Sequence, residues 1–353
     1  MNDAGGGRDR PLILTMGEPA GIGPEIALKA WTRRNEGIPV FALMGDPGEI
    51  HSLVGRLGLD VPLAEISSPG AAASVFASRL PVVSVPLGAP VEPGTLNRAN
   101  AGAVIDSIRR AVDLVLAGEA SAIVTNPIHK SVLYDAGFTY PGHTEYLAHL
   151  ARSPSAPVMM LAAPNLRVVP VTVHLSLTDA IAALTTDAIV HAGRTTAAAL
   201  ARDFAIARPR LAVAGLNPHA GESGMLGREE IDIIAPAIAR LRAEGIEASD
   251  PQPADTLFHP AARARHDAVL CMYHDQALIP LKTIDFEHGV NVTLGLPFVR
   301  TSPDHGTALA LAGRGLASET SLIEALRLAN IMAGARMRAE GDPAERRVGG
   351  RRD

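Results

Sequence analysis

The sequence predicts an α/β protein of two domains built on largely parallel sheets, and three observations lead there. Its 353 residues are too many for one simple core and suit two domains of ordinary size. Short apolar runs of strand length recur along the chain, separated by amphipathic segments of helical length. That alternation builds parallel sheets with helices on their faces. The composition, 47% hydrophobic and 20% charged, is that of a globular chain.

In chain order, residues 1–10 (MNDAGGGRDR) are glycine-rich and polar and read as a disordered tail. Pro11–Met16 is an apolar run for a first buried strand. It breaks at Gly17-Glu18-Pro19-Ala20-Gly21-Ile22-Gly23-Pro24, and a helix follows from about Glu25, with Pro24 suited to its first position. Further strand-like runs are Val40–Met44, Pro81–Val85, Ala122–Thr125, Val158–Ala162, Arg167–Val173, Leu211–Leu216 and Ala268–Met272. Between them, Val104, Ile105, Ile108, Ala111, Val112 and Val115 share one helical face that ends near Gly118. Asp187–Phe204, Arg228–Glu244 and Thr320–Glu340 are also helical. The arginine-rich end, 341–353, reads as a solvated tail.

Several function classes are disfavoured. Aromatic residues are only 3%, too few for stacking on exposed bases, and the net charge of -5 argues against a nucleic-acid surface. The single cysteine, Cys271, excludes an internal disulfide and a thiolate metal cluster, and its apolar neighbours make it a buried strand residue. There is no N-terminal h-region and no apolar run of spanning length, so a cytoplasmic protein without membrane contact is expected. Neither a GxGxxG fingerprint nor a P-loop is present, so a dinucleotide is not bound in the ordinary Rossmann way.

Met272–Ala308 sets His274, Asp275, Lys282, Asn291, Arg300, Asp304 and His305 among short apolar segments, a mixture suited to a site wall. Three histidines share one placement: His174, His219 and His274 each follow a buried strand-like run. At the carboxyl ends of parallel strands, three imidazoles could converge on a divalent cation, or each could be a hydrogen-bonded strand-end histidine. Gly142-His143-Thr144-Glu145 opens a helical stretch, with Thr144 placed as an N-cap over free N–H groups that attract an anion. Lys282, Asn291 and Arg300 could complete a phosphate or carboxylate cradle; alternatively, Thr144 only caps and the two cations are solvated. Asn126-Pro127-Ile128-His129-Lys130 is a weaker signal of the same kind, and Asn217–Glu222 is either a connector or a site loop.

Together, MGEPAGIGPEI (16–26), NPIHK (126–130), GHTEYLA (142–148), NPHAGESG (217–224), PADTLF (253–258), YHDQALIPLK (273–282) and VNVTLGLPFVRTSPDHGTALALAGRG (290–315) resemble the 4-hydroxythreonine-4-phosphate dehydrogenase family of vitamin B6 biosynthesis. The resemblance covers about residues 12–338. GIGPE (21–25) and DHGTALALAGRG (304–315) are also similar to segments of isocitrate and isopropylmalate dehydrogenases.

The resemblance implies that superfamily's architecture, two α/β/α domains flanking a cleft. The first domain would be 11–130 plus 290–340 and the second 131–289, with 1–10 and 341–353 as disordered tails. It implies a homodimer with an active site shared between subunits. His174, His219 and His274 would ligate a divalent cation (zinc, magnesium or cobalt), one of them supplied by the partner. His143, Thr144, Lys282, Asn291 and Arg300 would bind a small phosphorylated substrate, and His305, Gly306, Thr307 and Gly313 would contact NAD or NADP. Lys282 and Asp255 are the candidates for the catalytic base.

The expected reaction is NAD-dependent oxidation of 4-phosphooxy-L-threonine at C3, then decarboxylation. Competing readings are a relative acting on a phosphorylated threonate or erythronate or on an aromatic dihydrodiol dicarboxylate, a phosphate acyltransferase, and a non-catalytic binding module.

Overall fold

In the computed structural model, residues 10–340 are described. Twelve strands run in chain order: β1 (Leu12–Thr15), β2 (Phe41–Gly45), β3 (Leu63–Glu65), β4 (Leu80–Ser84), β5 (Ala122–Thr125), β6 (Val158–Ala163), β7 (Leu166–Pro170), β8 (Arg210–Ala214), β9 (Glu247–Gln252), β10 (Ala268–Cys271), β11 (Val290–Leu294) and β12 (Val299–Pro303). Among the described residues the chain forms two compact units, one of residues 10–154 and 296–330, the other of 155–295 and 331–340.

In the first unit the strand order is β3-β4-β2-β1-β5-β12, and every pairing is parallel. β1, LILT, is buried along its whole length, as a central parallel strand covered on both faces must be. The helix Ala101–Leu116 lays Val104, Ile108, Ala111 and Val112 into a core with Ile13 and Ile123, as its periodicity required. Fully burying each such side chain stabilises by about 1.5–3 kcal/mol.

In the second unit the order is β11-β6-β7-β10-β8-β9. β6 is antiparallel to both β11 and β7, and the remaining pairs are parallel. Leu161, Val168, Ala212, Val269 and Cys271 form its core, so Cys271 is a buried strand residue, as expected. Burial pushes the Cys271 thiol pKa far up, which leaves it inert.

The differences from expectation have local causes. β9 carries Pro251 and polar residues, a pattern tolerated because β9 is an edge strand. The expected helix Arg228–Glu244 is instead a wide turn, Glu230–Ile234, followed by Ala235–Ala243. Pro236 has no N–H to return to Asp232, so the regular ladder cannot continue through it.

The domain boundaries expected at 130/131 and 289/290 lie elsewhere. Residues 131–154 belong to the first unit because Val132, Leu133, Phe138, Tyr146 and Leu147 enter the same core as Ile13 and Ile123. Residues 290–295 belong to the second because β11 pairs with β6, and the helix Thr320–Glu340 passes the division at 330/331. The expected tails, apart from Arg10, lie outside the described residues. Among the described residues no helix is long and apolar enough to cross a membrane.

Candidate active site

In the first unit the chain reverses direction across the sheet at β1, with β2 on one side and β5 on the other, and ligand crevices form outside such switch points. The loops leaving β1 and β5 lock together there. Glu18 N donates to Pro127 O (2.8 Å), and Asn126 Nδ2 donates to Thr15 O (3.1 Å). The loop after β12 joins them, because Ile22 N donates to Thr307 O (3.0 Å). A Cβ at Gly21 would lie 2.9 Å from that oxygen, so only glycine permits the approach.

Thus the two segments that resemble the isocitrate dehydrogenase superfamily, 21–25 and 304–315, meet in space. Gly306 is open, since a Cβ there would meet nothing within 4 Å. A concavity with about 510 Å³ of empty space is lined by Gly21, Pro24, Asp46, Glu49, Pro93 and Gly313, among others. His305 lies in the same loop and its Nδ1 faces Gly306 O at 3.1 Å.

Arg300, in β12, is 4% exposed, which removes the alternative of a solvated cation. Its Nη2 donates to Thr125 Oγ1 at 2.6 Å. Burial draws its pKa down to about 10, opposed by nearby Glu145, so it stays charged at neutral pH. His143 Nε2 is buried and has no hydrogen-bond partner among the described residues. Burial first, then the charges of Arg300 and Lys130, hold its pKa well below the ordinary value, so the ring is neutral.

The helix His143–Leu150 is preceded by Gly142 in an extended conformation, and no side chain caps it. Thr144 is therefore the second helical residue rather than the cap, and the free N–H groups of this turn remain available to a ligand. Lys130 was noted in sequence only within NPIHK; its Nζ lies 3.8 Å from where a Gly142 Cβ would stand. A buried arginine, a neutral histidine and an uncapped helix start make an anion cradle.

In the second unit β7, β10 and β8 are adjacent and parallel, so His174, His219 and His274 all leave the carboxyl edge of neighbouring strands. Thr172 Oγ1 donates to Met272 O (2.8 Å), tying the exits of β7 and β10. Gln276 links the other pair, accepting from Met272 N (2.7 Å) and donating to Gly215 O (2.8 Å). Sequence reading missed both braces, whose only signal is a polar residue at an apolar strand exit, Thr172, or in the first turn of the helix that follows, Gln276.

The rings of His174 and His274 come within 5.9 Å, centroid to centroid. His274 Nδ1 pairs with Asp275 Oδ1 at 2.7 Å, which leaves Nε2 as the nitrogen for a cation. Two imidazoles at that spacing can share a cation with bonds of about 2.0–2.1 Å. His219 is not gathered with them: among the described residues no three His, Cys, Asp or Glu side chains of one chain could hold a metal together.

Lys282 lies two turns into the helix that His274 opens, with Nζ 5.4 Å from the Phe286 ring centroid. Asn291 is on β11 and Asp255 is exposed in the turn Ala254–Thr256.

Comparison with known proteins shows the family. The profile of the family described as pyridoxal phosphate biosynthetic protein PdxA matches residues 38–329. The chain is 56% identical over 332 residues to 4-hydroxythreonine-4-phosphate dehydrogenase from Methylorubrum extorquens, covering 92% of this chain and 95% of that one. It is 55% identical to the enzyme of that name from Bradyrhizobium diazoefficiens over 340 residues, 93% and 98% of the two chains. It is also similar to the crystal structure of 4-hydroxythreonine-4-phosphate dehydrogenase from Klebsiella pneumoniae, with TM-score 0.83 and 38% identity over 92% of this chain and 99% of that one.

Proposed function

This chain belongs to the pyridoxal phosphate biosynthetic protein PdxA family, and we propose that it oxidises 4-phosphooxy-L-threonine at C3 with NAD and a divalent cation. It is an oxidoreductase of that family. The dinucleotide would supply the acceptor for the hydride of C3, with the hydroxyl proton passing to a base. The product, 2-amino-3-oxo-4-phosphooxybutanoate, is a β-keto acid that loses CO₂ to give 3-amino-2-oxopropyl phosphate.

The observation that carries the metal-dependent form of this reading is the convergence of His174 and His274. His174, His219 and His274 would hold a divalent cation (zinc, magnesium or cobalt), which would supply a Lewis acid to acidify the hydroxyl and stabilise charge during decarboxylation. The third ligand, His219, acts in the site of a second copy of the chain. Support comes from exposed apolar side chains in the segments that follow the histidines: Leu177 at 60% exposure, Met225 at 83%, and Phe286 at 75% past the far end of the helix that His274 opens. Apolar side chains of this size left in water can be covered by a partner, and a homodimer would account for both them and the incomplete ligand set.

Arg300, His143, Thr144, Lys282 and Asn291 bind the phosphorylated substrate. The Lys282 ammonium, beside the Phe286 ring, orients an anionic group, and the exposed Asp255 carboxylate receives the hydroxyl proton. Remote phosphate contacts fix the pose of C3. The dinucleotide lies along His305, Gly306, Thr307 and Gly313. The enzyme works in the cytoplasm.

The test measures reduced dinucleotide formed from 4-phosphooxy-L-threonine, a phosphothreonate and a dihydrodiol dicarboxylate, each with and without chelator. Turnover of the first alone, lost with chelator and restored by metal, is expected. Full activity after metal is stripped ends the metal role, and preference for another diol ends the substrate assignment.

A further inference from the structure

We infer that Glu230 is the positioning residue for His219, holding in place the left-handed turn that presents its imidazole. The inference rests on the reading of His219 as a metal ligand. His219, Ala220, Gly221, Glu222 and Ser223 all hold left-handed backbone, with φ of 54, 51, 79, 42 and 57°. Four of the five carry a Cβ, so the run pays a steric cost at nearly every residue. His219, Glu222 and Ser223 are exposed, so core packing of their side chains does not hold the shape. A run of this kind persists only where its surroundings over-determine it.

Glu230 supplies that constraint from beneath. It is 5% exposed, and its Oε1 accepts from Leu216 N (2.7 Å) and Asn217 N (2.8 Å), the two residues that enter the turn. Its Oε2 accepts from Asn217 Nδ2 (2.9 Å), and the same amide donates to Glu229 Oε2 (2.7 Å). Main chain closes round both side chains. A Cβ at Gly221 would lie 2.6 Å from Glu230 Oε2, and one at Gly227 would lie 2.3 Å from Asn217 Nδ2. Glu230 also opens the wide turn Glu230–Ile234, a helical irregularity of the kind found at functional sites.

A carboxylate buried under an exposed loop costs desolvation that an apolar side chain would avoid. What it achieves here is a fixed entry and a fixed middle for the turn, and so a fixed direction for His219.

The experiment titrates Co²⁺ into the chelator-treated full chain, reading visible absorption, hydrogen exchange of residues 216–226 and thermal unfolding. It compares the parent with Glu230→Ala, Glu230→Gln and His219→Ala. Glu230→Ala is expected to weaken Co²⁺ by about 10–100-fold, as loss of groups supporting a metal ligand does, and to speed exchange in 216–226 while unfolding stays cooperative. Glu230→Gln keeps an acceptor for both backbone amides but loses the acceptor for Asn217, so a smaller loss of roughly 3–10-fold is expected.

Parental Co²⁺ affinity, spectrum and exchange in Glu230→Ala overturn the positioning role. If that variant does not fold, parental values in Glu230→Gln overturn it instead. His219→Ala separates the two readings. If it binds Co²⁺ as the parent does, the ligand assignment itself fails and the inference with it. If it loses Co²⁺ while Glu230→Ala keeps it, only the positioning role fails.

Discussion

At the scale of single residues, the site is a set of buried polar groups of the kind that hold an anion. Arg300 is nearly inaccessible, and its Nη2 donates to the Thr125 hydroxyl at 2.6 Å. An anion bound there gains charge-assisted hydrogen bonds of about 1.5–3 kcal/mol, so Arg300→Ala is expected to raise KM for the phosphorylated substrate by roughly 10–150-fold with a smaller change in kcat. Steady-state kinetics check this, and an unchanged KM removes Arg300 from the phosphate site.

Asp203 is a buried residue of a different kind. Burial alone would raise its pKa, but hydrogen bonds from Arg336 (2.7 and 2.8 Å) and Arg202 outweigh it and hold the carboxyl below its ordinary 3.8. A depressed folded pKa means stability that is fully present above the unfolded value and lost as pH falls through the folded one. Asp203→Asn is therefore expected to be less stable by about 3–5 kcal/mol near pH 7, with the gap closing below about pH 4. Denaturant unfolding across pH 3–7 measures it, and a gap independent of pH counts against the ion pair.

At the scale of elements, the loops are held by glycines that let main chain approach main chain. Gly17 has φ +71°, and a Cβ there would lie 2.6 Å from Asn126 Cβ and 2.8 Å from Pro127 O. Gly17→Ala is thus expected to force the β1 and β5 loops apart, costing about 1–3 kcal/mol of stability and most of the activity. A variant with parental melting temperature and turnover shows that the junction yields without consequence.

The same scale shows why Thr144 was misplaced in sequence. A Thr before an apolar helical face looks like a cap, but Gly142 takes that place in an extended conformation, and the turn stays open to a ligand. The helix Thr320–Glu340 and strand β5 were legible to the residue because their patterns are uninterrupted. β9, polar and edge-placed, carried no such pattern.

At the scale of the whole molecule, His174 and His274 pair within one chain while His219 does not join them. If the partner supplies His219, then His219→Ala and His274→Ala, each inactive alone, should complement when mixed and allowed to exchange subunits. A mixed dimer carries one intact set of ligands, so about a quarter of parental activity is expected after statistical exchange. No recovery, with exchange shown by mass measurement of the assembly, places all three ligands within one chain.

The sequence by itself determined the α/β class, the buried strands, the inert cysteine, the family and the candidate residues, because these follow from local periodicity and short motifs. The tertiary structure decided what depends on distant residues meeting. Residues 131–154 join the first unit because their side chains fill its core, and the segments 21–25 and 304–315 touch through one hydrogen bond. Two of the three strand-end histidines converge, and a glutamate outside every motif underlies the third. Periodicity reports which face of an element is buried. It carries no information on which buried group lies opposite, since that is set by strand order and by the few close approaches that glycines permit.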